Sequence, residues 1–314
     1  MQCAFWRSSK SSGRVDRLIK GSFVGRMLRS VGVIDMLKAL FWRINFFLKN
    51  RKSAKINRQL GNGVISVIVE SKNGVLAVDP RDLEVGYKLR THGSYGIDEI
   101  TRINQFITSK SNVLVVGAHI GSLVIPIAKN CNKVVAIEAN PNNFDLLKTN
   151  LHLNKSENVT IHNIAASSQQ ETIKFQMNVV NSGGSKRLPK NNEYMYRYDH
   201  PEVIEIQAHA LDDYLDENNF DLVLIDIEGS EYFAMQGMEK ILSNCTTLII
   251  EFLPHHLKNV ADVSVEQFLS LVPNHFTKLT IPSKNETHPI DVGGVMLKQM
   301  YANKEGDDGI IFSK

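Results

Sequence analysis

The sequence predicts a doubly wound α/β fold, preceded by a small β-layer and a basic helical arm. Three observations predict it. Apolar, β-branched runs alternate with helical patterns from residue 113 onward. The first run ends in a glycine-spaced loop. A later run ends in a cluster of acids.

Residues 1–60 form the arm. They hold 14 Lys/Arg against Asp16 and Asp35, a net +12. The whole 314-residue chain carries +3, so the rest carries −9. Residues 1–20 are rich in Ser, Arg and Lys. Val24 to Leu48 turns helical, with Val33, Leu37, Leu40, Phe41, Ile44, Phe47 and Leu48 at helical spacing. Such a helix either packs on the body or lies on an anionic membrane surface through residues 1–50. Nucleic-acid affinity driven by phosphates would rest on the arm alone, because the body is acidic.

Residues 61–95 form the β-layer. Val64–Glu70 and Val75–Val78 flank Asn73-Gly74, a hairpin signal. Leu83 to Tyr95 reads as irregular, and Ile97 to Ile107 as a helix. Tyr95 and Glu99 either roof the site or lie on the surface.

Residues 96–314 form the main domain. Val113–Val116 is a strand buried on both faces. It stops at Gly117-Ala118-His119-Ile120-Gly121, where the backbone turns tightly and approaches a ligand. Ser122 is placed to cap a helix from Leu123 to Lys129. Helix-start amides and exposed loop amides favour polar or anionic groups. The next strand, Lys133–Ile137, ends in Glu138, 17 residues past Gly121. An acid there accepts the hydroxyls of an adenosine ribose, a device of both NAD and S-adenosylmethionine (SAM) enzymes.

Asn140-Pro141 opens a helix carrying Phe144, Leu147 and Leu151. Val159–Ala165 reads as a third strand, and Ala165-Ala166-Ser167 leaves room for an adenine ring. Thr172–Val179 and Glu202–Ala208 alternate like paired strands. The polar stretch between them, with Tyr194, Tyr196 and Tyr198, is long enough to be a substrate lid. Phe220–Ile225 is a buried strand followed by Asp226, Glu228 and Glu231. Glu231 suits the start of a helix running to Leu242. Leu248–Phe252 carries Glu251, and His255-His256 follow. Strands near 275–281 and 310–313 complete the sheet.

Ordinary composition, 43% hydrophobic and 22% charged, fits a soluble globular chain. Cys3, Cys131 and Cys245 are widely spaced, which favours a reducing, cytoplasmic setting over a disulfide framework. The start lacks a signal-peptide core, and no stretch has the roughly 20 apolar residues of a membrane span.

Gly117–Gly121, Ile137-Glu138-Ala139-Asn140-Pro141, Asn150–Asn154, Ala165–Ser167, Asp226–Glu231 and Glu251 occur in this order. Together they resemble the FkbM-type SAM-dependent methyltransferases, over roughly residues 95–256. The resemblance implies a seven-stranded, Rossmann-like sheet, SAM as cofactor and O-methylation of a sugar, glycan or related hydroxyl, with lipid-linked glycans included. The cofactor set it implies is Gly117, Ala118, His119, Gly121, Glu138, Ala139, Asn140, Asn163, Ala165 and Asp226. Asp226, Glu228 and His255 are the catalytic candidates. Asp226, Glu228 and Glu251 are the candidate ligands if Mg²⁺ takes part. The chain departs from the family at Val115, His119 and Leu224, where Asp, Asn and Lys are usual. The missing Asp leaves the methionine end of SAM short of a partner that His119 can replace by hydrogen bonding. The alternatives are a non-catalytic SAM-binding relative and a NAD oxidoreductase, in which the acid run has no role.

Overall fold

The computed structural model describes residues 33–61, 63–191 and 193–314. Residues 24–32 of the expected arm helix lie outside these. Helix α1 (Val33–Leu60) extends twelve residues past the expected Leu48. Strands β1 (Val67–Ser71) and β2 (Gly74–Val78) form the expected hairpin, with Ser71 opposite Gly74. Gly74 has φ 125°, which explains the glycine at this turn. The Leu83–Tyr95 segment is not irregular: it contains helix α2 (Val85–His92). Gly93 ends it in a left-handed cap. Helix α3 is Ile97–Ile103, shorter than expected.

The main sheet is built from β3 (Asn112–Val116), β4 (Lys133–Ile137), β5 (Val159–His162), β10 (Leu222–Ile225), β11 (Thr247–Phe252), β12 (Lys278–Ile281), β13 (Glu286–Pro289) and β14 (Asp307–Ser313). A second sheet holds β6 (Ala165–Ala166), β7 (Glu171–Met177), β8 (Lys186–Arg187) and β9 (Glu202–His209). The main order is β13-β12-β14-β11-β10-β3-β4-β5. Strands β5, β4, β3, β10 and β11 run parallel, and β14 is antiparallel to β11. The sheet therefore has eight strands rather than seven; β13 adds an edge by hairpin pairing with β12. The expected third strand is split, because Ala165 and Ala166 pair with β9 in the second sheet.

Both faces of the main sheet are covered. Leu114 and Val116 join Met235, Ile241 and Leu297 on one side. Val113 and Val115 join Leu76, Ile125 and Leu147 on the other. The period of two along β3 sends successive side chains to opposite cores. Helix α4 is Val124–Ala128, and Ser122 does not cap it; its carbonyl accepts from Asn73 Nδ2 at 2.8 Å. Helix α5 (Pro141–Leu153) does start as read, with Asn140 as N-cap. The helix expected from Glu231 to Leu242 breaks into α6 (Glu231–Gln236) and α7 (Glu239–Asn244). Gly237 marks the break: a Cβ there would meet the Ser167 carbonyl at 2.0 Å. Chain packing at that crossing overrides helix continuity.

Candidate active site

The carboxyl ends of β3, β4 and β10 converge on one cleft of about 640 Å³, its open mouth included. Gly117 (φ 96°) sits where β3 meets β10. A Cβ there would lie 1.8 Å from the Asp226 carbonyl, so only glycine lets the two strand ends close up. Gly121 makes room for a helix instead, since a Cβ would press on Leu147 of α5 at 2.8 Å.

Glu138 organises this loop. Its Oε2 accepts the His119 N–H at 2.7 Å and its Oε1 the Asn140 N–H at 2.8 Å. Burial pushes its carboxyl up to about 7, against these hydrogen bonds. Asn143 also hydrogen-bonds this carboxylate, and the lone-pair capacity that remains can take a ligand hydroxyl. Asn163 Nδ2 donates to the Glu138 carbonyl at 2.8 Å and so supports the loop from behind.

His119 (φ 50°) is buried on the cleft wall. Its Nε2 lies 2.7 Å from Ser182 Oγ. Ser182 has one hydroxyl proton and donates it to Asp82, so Nε2 is the donor to Ser182. Nδ1 is then a bare acceptor, and it is buried without a hydrogen-bond partner. Burial pushes the imidazole down to about 4, so it is neutral at physiological pH. Asp82 also accepts the Glu84 and Gly86 amides, and burial raises it to about 6. Nothing in the Asp79–Asp82 sequence points to this role. The long polar stretch supplies Ser182, Gly183, Ser185 and Arg187 to the cleft wall.

The acid run divides. Asp226 is half-buried and lines the cleft. Burial, followed by the charges of Glu228, Glu99 and Glu231, holds its carboxyl well above the usual range. Glu228 (φ 57°) turns away and is fully buried. Its Oε2 accepts from Lys186 Nζ at 3.1 Å. Lys186 also reaches His256 Nε2 at 3.2 Å. An ammonium has only donors, so His256 accepts at Nε2 and carries its proton on Nδ1, 3.3 Å from Glu251 Oε2. Burial and neighbouring carboxylates push Glu251 well above its ordinary range. Glu231 is structural here: its Oε1 accepts the Ile227 and Gly229 amides at 3.0 and 3.1 Å.

The cofactor set from the sequence thus separates. Gly117, His119, Glu138, Ala139, Ala165 and Asp226 line the cleft, while Ala118, Gly121, Asn140 and Asn163 shape it from behind. Among the catalytic candidates, Asp226 faces the cleft and Glu228 does not. His255 stacks on Tyr196 instead of joining the acids, and its neighbour His256 joins them. Of the metal set, Glu228 and Glu251 have donor atoms within 4.8 Å of each other and of His256; Asp226 is outside that group. Tyr95 is buried, with its backbone bonded to Asn73, and neither it nor Glu99 lines the cleft. Ala166, read with Ala165 as room for an adenine ring, lines the cleft beside Ile164, Ile173 and Phe175, which complete an apolar end that went unread in the sequence.

A cleft with an acid after its second strand and a glycine loop after its first defines a nucleotide-type α/β site. Residues 116–277 match the methyltransferase FkbM domain, just over half of the chain. The chain belongs to the FkbM methyltransferase family. Solved structures with a similar fold include methyltransferase FkbM from Methylobacillus flagellatus KT (18% identity, TM-score 0.40, 66% of this chain and 44% of that one). The M. jannaschii tRNA m1G37 methyltransferase aligns at 17% identity and TM-score 0.42, over 81% and 58%. M. jannaschii TYW2, solved with AdoMet, aligns at 15% and 0.41, over 79% and 85%. The chain spans less than two thirds of the first two. No curated protein matches the chain.

The residues present fit SAM. The apolar end suits an adenine ring, Glu138 has lone pairs left for ribose hydroxyls, and His119 Nδ1 offers an acceptor to the methionine ammonium.

Proposed function

We propose that the chain binds SAM in this cleft and methylates a hydroxyl of a sugar, glycan or related small molecule. When bound, SAM supplies an electrophilic sulfonium methyl. Transfer requires the acceptor oxygen about 3–3.5 Å from that methyl, so the protein's work is positioning and proton removal. Glu138 and His119 would hold the ribose and the methionine end of the cofactor. Asp226 would accept the proton that the acceptor hydroxyl must lose.

The single observation that carries this reading is the place of Asp226: an acid on the cleft wall at the carboxyl end of β10, its carboxyl held well above the ordinary range by burial and neighbouring acids. The metal version has less support. Lys186 Nζ already lies within hydrogen-bond distance of two of the three grouped donors, and its ammonium balances one buried carboxylate. Family membership favours a methyltransferase over the oxidoreductase reading.

The test is Asp226→Asn on an acceptor identified by a glycan screen. Turnover should fall about 10²–10⁴-fold, while calorimetry with S-adenosylhomocysteine shows cofactor affinity within a few-fold of wild type. Full activity in that variant removes Asp226 from the chemistry. SAM binding without turnover on any acceptor would favour the non-catalytic relative. Activity lost to a chelator and restored by Mg²⁺ would favour the metal version.

A further inference from the structure

Helix α1 has two unlike sides. The inner side is fastened to the body. Phe46 stacks on Tyr198 at 4.3 Å between ring centroids, Asn50 Nδ2 donates to the Tyr198 carbonyl, and Ser53 Oγ donates to the Arg81 carbonyl at 2.8 Å. Lys49 pairs with Glu84. Among the described residues, the other side meets no aromatic stack or hydrogen bond to the body like these. Leu37, Leu40, Phe41, Ile44, Phe47 and Leu48 are each 50–58% exposed.

At 3.6 residues per turn these six span an arc of about 120°, opposite Phe46. Arg51, Lys55 and Arg58 fall within the same arc, and all are exposed. The Arg51 guanidinium lies over the Phe47 ring at 5.4 Å, where the two halves meet. One face of one helix is therefore apolar along its first half and cationic along its second. Six large apolar side chains in a row exceed what scattered surface residues explain.

We propose that this face docks on an anionic lipid bilayer surface, with the apolar half in the acyl boundary and the basic half at the headgroups. Charge decides the occupant. Residues 1–60 carry +12 and the body −9, so an anionic plane attracts the arm and repels the remainder, which orients the molecule. A second copy of the helix would cover the apolar half but neutralise none of the cations. None of the described helices is long and apolar enough to cross a membrane, which fits a helix lying on the surface. The inference is independent of methyl transfer, since vesicle binding needs neither cofactor nor acceptor.

The experiment is co-sedimentation of the full chain with vesicles of phosphatidylcholine alone or with phosphatidylglycerol. Wild type should pellet with the anionic vesicles at low salt and release as salt shortens the screening length from about 10 Å to a few Å. Leu40→Ser, Phe41→Ser and Ile44→Ser together should reduce partitioning at least about tenfold. These side chains are exposed, so an unchanged melting temperature will show that the fold persists. Arg51→Gln, Lys55→Gln and Arg58→Gln should each weaken binding about fivefold, or roughly a hundredfold together. Three results would overturn the proposal: pelleting untouched by the apolar substitutions, equal pelleting with neutral vesicles in high salt, or no vesicle binding by a dimer that the apolar substitutions split.

Discussion

Two strand-to-helix turns meet at the cleft, and a glutamate holds each in the same manner. Glu138 accepts two amides of the loop after β3 and the turn after β4; Glu231 accepts two amides of the loop after β10. The turns differ in what they present. The first offers a neutral histidine and partly used carboxylate oxygens. The second sends Asp226 to the cleft and Glu228 into a buried cluster with Lys186, His256 and Glu251. Residues two apart in one acidic motif thus have opposite surroundings. Acids of one motif do not share one role.

The comparison breaks most sharply at Lys186. Lys186→Met leaves Glu228 buried without its cation and should cost about 3–5 kcal/mol of stability. Adding Glu228→Gln should restore much of it. Denaturant titration checks both, and an unchanged midpoint in the single variant would mean that the pair is not holding the second turn.

A pH experiment sharpens the contrast on the neutral side. His119 is pushed from 6.5 to about 4 by burial. As the pH falls below 6.5, the unfolded chain takes up this proton first. The contribution of His119 is therefore complete above about pH 6.5 and lost as the pH falls toward 4, on the order of 3 kcal/mol. Asp82 and Glu138, raised to about 6 and 7, change stability in the opposite sense over part of this range. They remain in His119→Asn, so wild type minus variant isolates the histidine. Urea titrations at pH 4.5 and 7 should show a smaller loss in His119→Asn; parallel losses would refute the neutral assignment.

The smallest expected effect concerns Glu138 as ligand rather than as brace. Glu138→Ala should weaken SAM binding by about 1.5–3 kcal/mol. Calorimetry showing unchanged affinity would leave Glu138 with its loop-holding role alone.

Much of the frame was readable because it is local. The run Val113–Val116 and its glycine stop, the Asn73-Gly74 turn and the Asn140-Pro141 helix start are each decided by neighbouring residues. The misreadings share a cause. Ser122 is held through its backbone carbonyl by Asn73, 49 residues earlier, and its side chain does not cap the helix. Gly237 split a helix because Ser167 passes beside it. Asn150, read only as part of a family pattern, stitches the hairpin to the domain through the Ala77 backbone.

The sequence by itself determined the α/β class, the position of the glycine loop, the acid after the second strand and the charge imbalance between arm and body. Periodicity, turn chemistry and composition express these within a few residues. Only the tertiary structure decided that Asp82 and Ser182 set the His119 tautomer, that Asp226 and Glu228 part company, and that His256 rather than His255 meets the acids. It also decided which side of α1 is fastened to the body. All but the His256–Glu251 contact, which joins residues five apart, span tens to a hundred residues and are set by how strands and loops pack.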